Sequence, residues 1–202
     1  MRRQGWIEVV TGVMFSGKSE ELIRRIRRAL IAGRQVQLFK SHLDDRYSGK
    51  FQISSHDGRT IDAEPISDSN ELRAKILPTT EVVAIDEAQF LDDGITQVVE
   101  LLAMAGKRVI VVGTDMDFRG EPFGPMGALL ARAEEVTKLT AICVVCGERA
   151  TRNQRLIDGK PATVDGPTIQ VGGAESYEAR CRDCHEVLDQ PKGKLGLDEA
   201  NL

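Results

Sequence analysis

No run of apolar residues in this sequence approaches the roughly 18 needed to cross a bilayer. Positive charge is not in excess either: 27 Lys and Arg stand against 31 Asp and Glu, a net charge of −4. That balance argues against a protein that coats a nucleic acid backbone, which needs a basic surplus. The opening "MRRQGWIEVV" lacks a long apolar stretch and a small-residue cleavage site, so no secretory signal and a cytoplasmic location are expected. Cysteine is scarce, four in 202 residues. In a reducing cytoplasm disulfides are rare, which favours metal binding for these thiols. What is present is 41% hydrophobic and 29% charged residues, enough for a buried core in one ordinary domain with a small appendage.

Residues 6–11 (WIEVVT) read as a buried strand running into glycines. Residues 19–33 place Leu22, Ile23, Ile26, Leu30 and Ile31 at helical spacing, closed by Gly33. With a second strand at 35–39 this makes a βαβ unit. Residues 40–60 are expected to form a loop with at most a short hairpin. A short helix with a Ser or Asp cap is expected at 67–76 and a strand ending in carboxylates at 81–90. A further helix is predicted at 95–106, a strand at 108–115, and a loop leading into a helix over 120–136. Strands alternating with helices imply a parallel sheet covered on both faces. The composition changes near 140, which divides the chain into a core (1–140), a cysteine-bearing subdomain (141–190) and a flexible tail (191–202).

Between the first strand and helix stands "GVMFSGKS", residues 12–19, with the spacing G-x-x-x-x-G-K-[ST]. In that position the helix N-terminus and successive backbone N–H groups converge on phosphate oxygens. Gly12, Val13, Met14, Phe15, Ser16 and Gly17 form the cradle. Lys18 is placed to reach the β and γ phosphates, and Ser19 to ligate Mg²⁺. Such a loop needs an acid at the end of a neighbouring strand. "VVAIDE" supplies Asp86 for the metal, through water, and Glu87 to point at the acceptor. The plain alternatives are a glycine turn and two solvated carboxylates.

Cys143-x-x-Cys146 and Cys181-x-x-Cys184 form a Cys₄ set suited to structural, tetrahedral Zn²⁺. A metal there would tie the base of the long segment between the pairs. A redox pair, the haem-attachment pattern of "CRDCH", and His185 replacing one cysteine as ligand are the other readings.

Taken in order, "GVMFSGKS", "DDRY", "DEAQF", "DMDFRGEPFGP", the two cysteine pairs and "VGGAESYEARC" resemble the zinc-containing thymidine kinases of bacteria and animal cytosol. The resemblance implies a RecA-like P-loop core and a zinc subdomain whose lasso loop folds over the nucleoside. It makes Glu87 the base for the sugar 5′-hydroxyl and adds Asp44, Asp45 and Arg46, with Ala88 and Gln89, to the Mg-ATP site. Met14, Phe90, Phe118 and Asn153 are expected at the nucleoside, with Thr168, Ile169, Gln170, Val171, Gly172 and Tyr177 closing over it. Implied partners are ATP and thymidine, with thymidine triphosphate as feedback inhibitor, no nucleic acid and no membrane, in a homotetramer or homodimer. Val13, Thr114 and Asn153 depart from the family's usual proline, leucine and threonine, and the last two are expected to rearrange the base pocket. The competing function is a P-loop ATPase whose zinc module binds nucleic acid or protein. Against it, residues 143–186 mix acids with bases and hold one aromatic, Tyr177.

Overall fold

The computed structural model describes residues 4–42, 52–54, 60–170 and 176–189. The core elements are β1 (Trp6–Gly12), α1 (Lys18–Ile31), β2 (Val36–Ser41), β3 (Gln52–Ser54), β4 (Thr60–Ile66), α2 (Ser69–Lys75), β5 (Val82–Asp86), α3 (Ile95–Met104), β6 (Arg108–Gly113), α4 (Met126–Arg132) and β7 (Glu135–Leu139). The strands form one sheet in the order β3-β4-β2-β5-β6-β1-β7. Its six strands from β4 to β7 are parallel, and β3 pairs antiparallel with β4 at one edge.

The period-2 alternation of the central strands divides their side chains between two apolar layers. Ile7, Val9, Val83, Ile85, Val109 and Val111 face one layer, with Val98, Val99 and Leu102 of α3 and Leu129 of α4. Val10, Ala84, Ile110 and Val112 face the other, under Leu22, Ile26, Ala29 and Leu30 of α1. Helices therefore cover both faces, as the strand–helix alternation predicts. Glu8 is a buried exception in β1. Burial pushes its carboxyl up, but hydrogen bonds from Arg108 and Trp6 and the charge of Arg25 outweigh this and hold it below the usual range.

Three expectations change. Residues 60–66, where the sequence predicts no element, form a parallel strand that the polar surroundings hid; β3 pairs with it as the short hairpin that the sequence allows. The helix expected to reach 136 ends at Arg132, because Val136 and Thr137 pair with Val9 and Val10 of β1 to make the edge strand β7. Finally, the carboxylate strand does not adjoin the phosphate-loop strand: β6 lies between β5 and β1.

Beyond Leu139 the strands leave this sheet. β8 (Ala141–Ile142) pairs with β9 (Arg149–Ala150), and β10 (Arg152–Ile157) lies between β11 (Lys160–Pro161) and β12 (Tyr177–Arg180). The small unit packs on the phosphate loop: Val13 shares an apolar cluster with Ala141, Cys143, Ala150, Ala179 and Cys181. Among the described residues, no helix is long and apolar enough to cross a membrane.

Candidate active site

The phosphate loop is shaped by backbone that most side chains refuse. Gly12 has φ 146°, and a Cβ there would lie 2.3 Å from the Leu139 carbonyl oxygen of β7. Left-handed residues at Phe15 (φ 64°) and Gly17 (φ 87°) curl the loop as anion-binding nests are curled. Lys18 folds back over it, its Nζ donating to the Val13 carbonyl at 3.0 Å. Ser16 Oγ is buried and finds no hydrogen-bond partner among the described residues. A buried hydroxyl is stable only when bonded, so Ser16 and the curled N–H groups fit a phosphoryl oxygen.

Asp86 ends β5, and the chain turns sharply after it: Glu87 takes φ 54°, ψ 39° before the 3₁₀ turn Ala88–Phe90. The expected strand thus stops four residues early, and the turn throws the Glu87 side chain into the cleft. Gln89 Nε2 donates to Glu87 Oε2, while Gln89 Oε1 accepts from the Thr114 N–H at 3.0 Å. The amide of Gln89 therefore fixes the rotamer of Glu87 from a rigid strand end. Asp86 is buried behind it, its Oδ1 accepting from the Glu87 N–H. Burial, and then the adjacent charge of Glu87, raise the Asp86 carboxyl to about 7.

A cavity of about 320 Å³ joins these groups. Its walls include Met14 to Ser19, Glu87, Gln89, Phe90, Phe118, Asn153, Thr168, Gln170 and Tyr177, all expected from the sequence. Gly12, Val13, Asp86 and Ala88 are buried behind the lining, and Ile169 is exposed outside it. Asp44, Asp45, Arg46, Val171 and Gly172 lie outside the described residues.

Met116, Asp117, Phe123 and Arg155 also line the cavity, and sequence reasoning missed them. Three of the four fall within or beside the quoted "DMDFRGEPFGP", a signal that was available. Phe123 stacks edge-on against Phe90 at 5.6 Å. Asn153, expected to face a base, spends its amide on backbone instead. Its Oδ1 accepts from the Met14 N–H at 2.8 Å and its Nδ2 donates to the Met116 carbonyl at 2.9 Å. Asn153→Ala would leave both half-buried backbone groups without this partner, a loss of about 1–3 kcal/mol. We expect a melting midpoint lower by roughly 2–10 °C and weaker use of ATP, measured by calorimetry and steady-state kinetics. An unchanged midpoint would refute the tie.

The four cysteine sulfurs lie within 4.8 Å of one another, with Cys146 Sγ 3.6 Å from Cys181 Sγ. That is far beyond the ~2.05 Å of a disulfide and close to the ~3.8 Å edge of a tetrahedron with ~2.3 Å Zn–S bonds. Burial would push the Cys143 thiol up, but backbone N–H groups of Cys181, Cys146 and Val145 hold it down to about 6. The set fits one zinc ion. His185 is not part of it, since its Nε2 is 2.8 Å from the Phe118 carbonyl oxygen.

Phosphate loop, carboxylate turn and interposed β6 together define a RecA-like P-loop protein with a four-cysteine module. Among solved structures, the flagellar accessory protein FlaH from Methanocaldococcus jannaschii matches with a TM-score of 0.50, over 73% of this chain and 76% of that chain, at 12% sequence identity, a likeness of fold alone. The ATPase DotB of Legionella pneumophila matches at a TM-score of 0.45 and 15% identity, over 72% of this chain and 43% of that chain. The family model described as thymidine kinase matches residues 5–185. The chain belongs to the thymidine kinase family, and is by that membership a nucleoside kinase.

Proposed function

We propose that this protein transfers the γ-phosphate of ATP to the 5′-hydroxyl of thymidine, giving thymidine monophosphate for DNA synthesis. The observation that carries the reading is the single cavity shared by the phosphate loop, Glu87 and the aromatic groups Phe118 and Tyr177. A donor triphosphate and an acceptor alcohol can meet there without crossing solvent.

Phosphoryl transfer asks little covalent chemistry of a protein; it asks for alignment and charge neutralisation. Lys18 and the loop N–H groups take the β and γ phosphates. Ser19 and Asp86 would hold Mg²⁺, which offsets phosphate charge, and a bound cation favours the carboxylate form of Asp86. Glu87, held by Gln89, accepts the 5′-hydroxyl proton as the oxygen attacks. The segment 163–170 covers the cavity and limits entry of water, which would otherwise divert the phosphoryl group.

With the Asn153 amide committed to backbone, the base must be read by the covering segment's main chain and by Thr114, which lines the same cavity. Zinc, cytoplasmic location, inhibition by thymidine triphosphate and a homotetramer or homodimer belong to the same proposal. Coupled detection of ADP over a panel of nucleosides tests it. Thymidine should give the highest kcat/KM. Turnover with deoxycytidine but not thymidine would move the reading to another base, and no nucleoside-stimulated turnover would end it.

A further inference from the structure

Arg155 is a buried cation, 1% exposed, with no carboxylate partner among the described residues. An unpaired buried charge is expensive, so its partners matter. Its guanidinium gives Nε and Nη2 to the Tyr177 hydroxyl at 2.9 and 2.6 Å, Nη2 to the Thr168 carbonyl at 2.9 Å, and Nη1 to the Pro167 carbonyl. Tyr177, having accepted, donates onward to the Gln170 carbonyl at 2.9 Å. The planar fork thus fixes two carbonyls, at 167 and 168, and through Tyr177 a third, at 170, on the segment that covers the cavity.

The same guanidinium lies 3.9 Å from the centroid of the Phe118 ring, and Arg119 lies 4.4 Å from that centroid. Arg119 adds the Val164 and Gly166 carbonyls but is neutralised by Asp117. Among the described residues, ring faces, carbonyl dipoles and the Tyr177 hydroxyl are what compensate Arg155. An apolar residue would hold the fold at lower cost. An arginine is required only if these carbonyls must be aimed.

We infer that Arg155 is the positioning residue for nucleoside recognition: it orients the main chain of 167–170 over Phe118 so that this backbone can bind the nucleoside. The inference rests on the nucleoside kinase reading. Arg155→Lys keeps the charge but loses the planar fork, and one ammonium cannot span Tyr177, Pro167 and Thr168 together. In the full-length, zinc-loaded enzyme we expect KM for thymidine to rise about 10- to 100-fold. The KM for ATP and the zinc content should stay at wild-type values, and kcat should fall much less than KM rises.

Hydrogen exchange should speed up in 163–170 and not in β1 or β5. A structural role alone would instead lower kcat and raise both KM values together. Wild-type thymidine KM with wild-type exchange in Arg155→Lys would overturn the inference. Should that variant fail to fold, Tyr177→Phe, which breaks the link to Gln170, must raise thymidine KM alone, and unchanged KM there overturns it equally. If wild-type enzyme phosphorylates no nucleoside, the parent reading fails, whereas the exchange comparison still reports on the hold of Arg155.

Discussion

Glu87→Gln is expected to lower kcat by about 10² to 10⁴, the usual cost of losing a general base, with ATP binding and the fold intact. The substitution nearly conserves size, and the left-handed backbone at φ 54° is equally strained for either side chain. The Gln89 amide that donates to Glu87 Oε2 can still donate to the new amide oxygen. Only the capacity to take a proton is removed. Steady-state kinetics with thymidine, alongside calorimetric ATP binding and circular dichroism, separates these effects. Retention of more than about a third of kcat, far above that range, would show that Glu87 is not the base. Asp86 and the acids Asp44 and Asp45 would then be the residues to substitute.

Cys181→Ser should have the second large effect, on a different link. Structural zinc contributes on the order of 10 kcal/mol or more to small metal-bound units, comparable with the whole stability of a domain. The small sheets β8–β9 and β10–β12 bury mostly alanines and polar side chains and few large apolar ones, and the cluster that joins them contains Cys143 and Cys181. Loss of one ligand should lower bound zinc well below one per chain. Residues 141–189 should exchange faster, and kcat/KM for thymidine should fall more than about tenfold, because β10 and β12 carry Arg155 and Tyr177. The core sheet should keep its protection, since its two apolar layers do not include this cluster. Full activity without metal would refute the structural role.

The core was legible because both faces of its sheet are buried, which writes near-continuous apolar strands such as VVAID and RVIVVG beside helices of clear period. The phosphate loop was legible because only glycine tolerates φ 146° against the Leu139 carbonyl. The edge strand β7 and the penultimate strand β4 were not, since their polar and half-exposed positions leave EVTKL and TIDAEPI without a strong pattern. Nor could spacing reveal that β6 separates the strand before the phosphate loop from the strand that ends in Asp86, because strand order is a long-range property. Asn153 and Arg155 were invisible as ties for another reason. A buried polar side chain in a strand reads as a surface residue until its partners, far away in sequence at Met14, Met116 and Thr168, are seen.

The central claim is that phosphorus passes from ATP to a nucleoside oxygen and not to water. Phosphorus-31 magnetic resonance of the reaction with thymidine follows that atom directly. One thymidine 5′-monophosphate should appear for each ADP formed, with little inorganic phosphate. ADP accompanied by an equal amount of inorganic phosphate, with thymidine unchanged, would contradict the account and identify the protein as an ATPase.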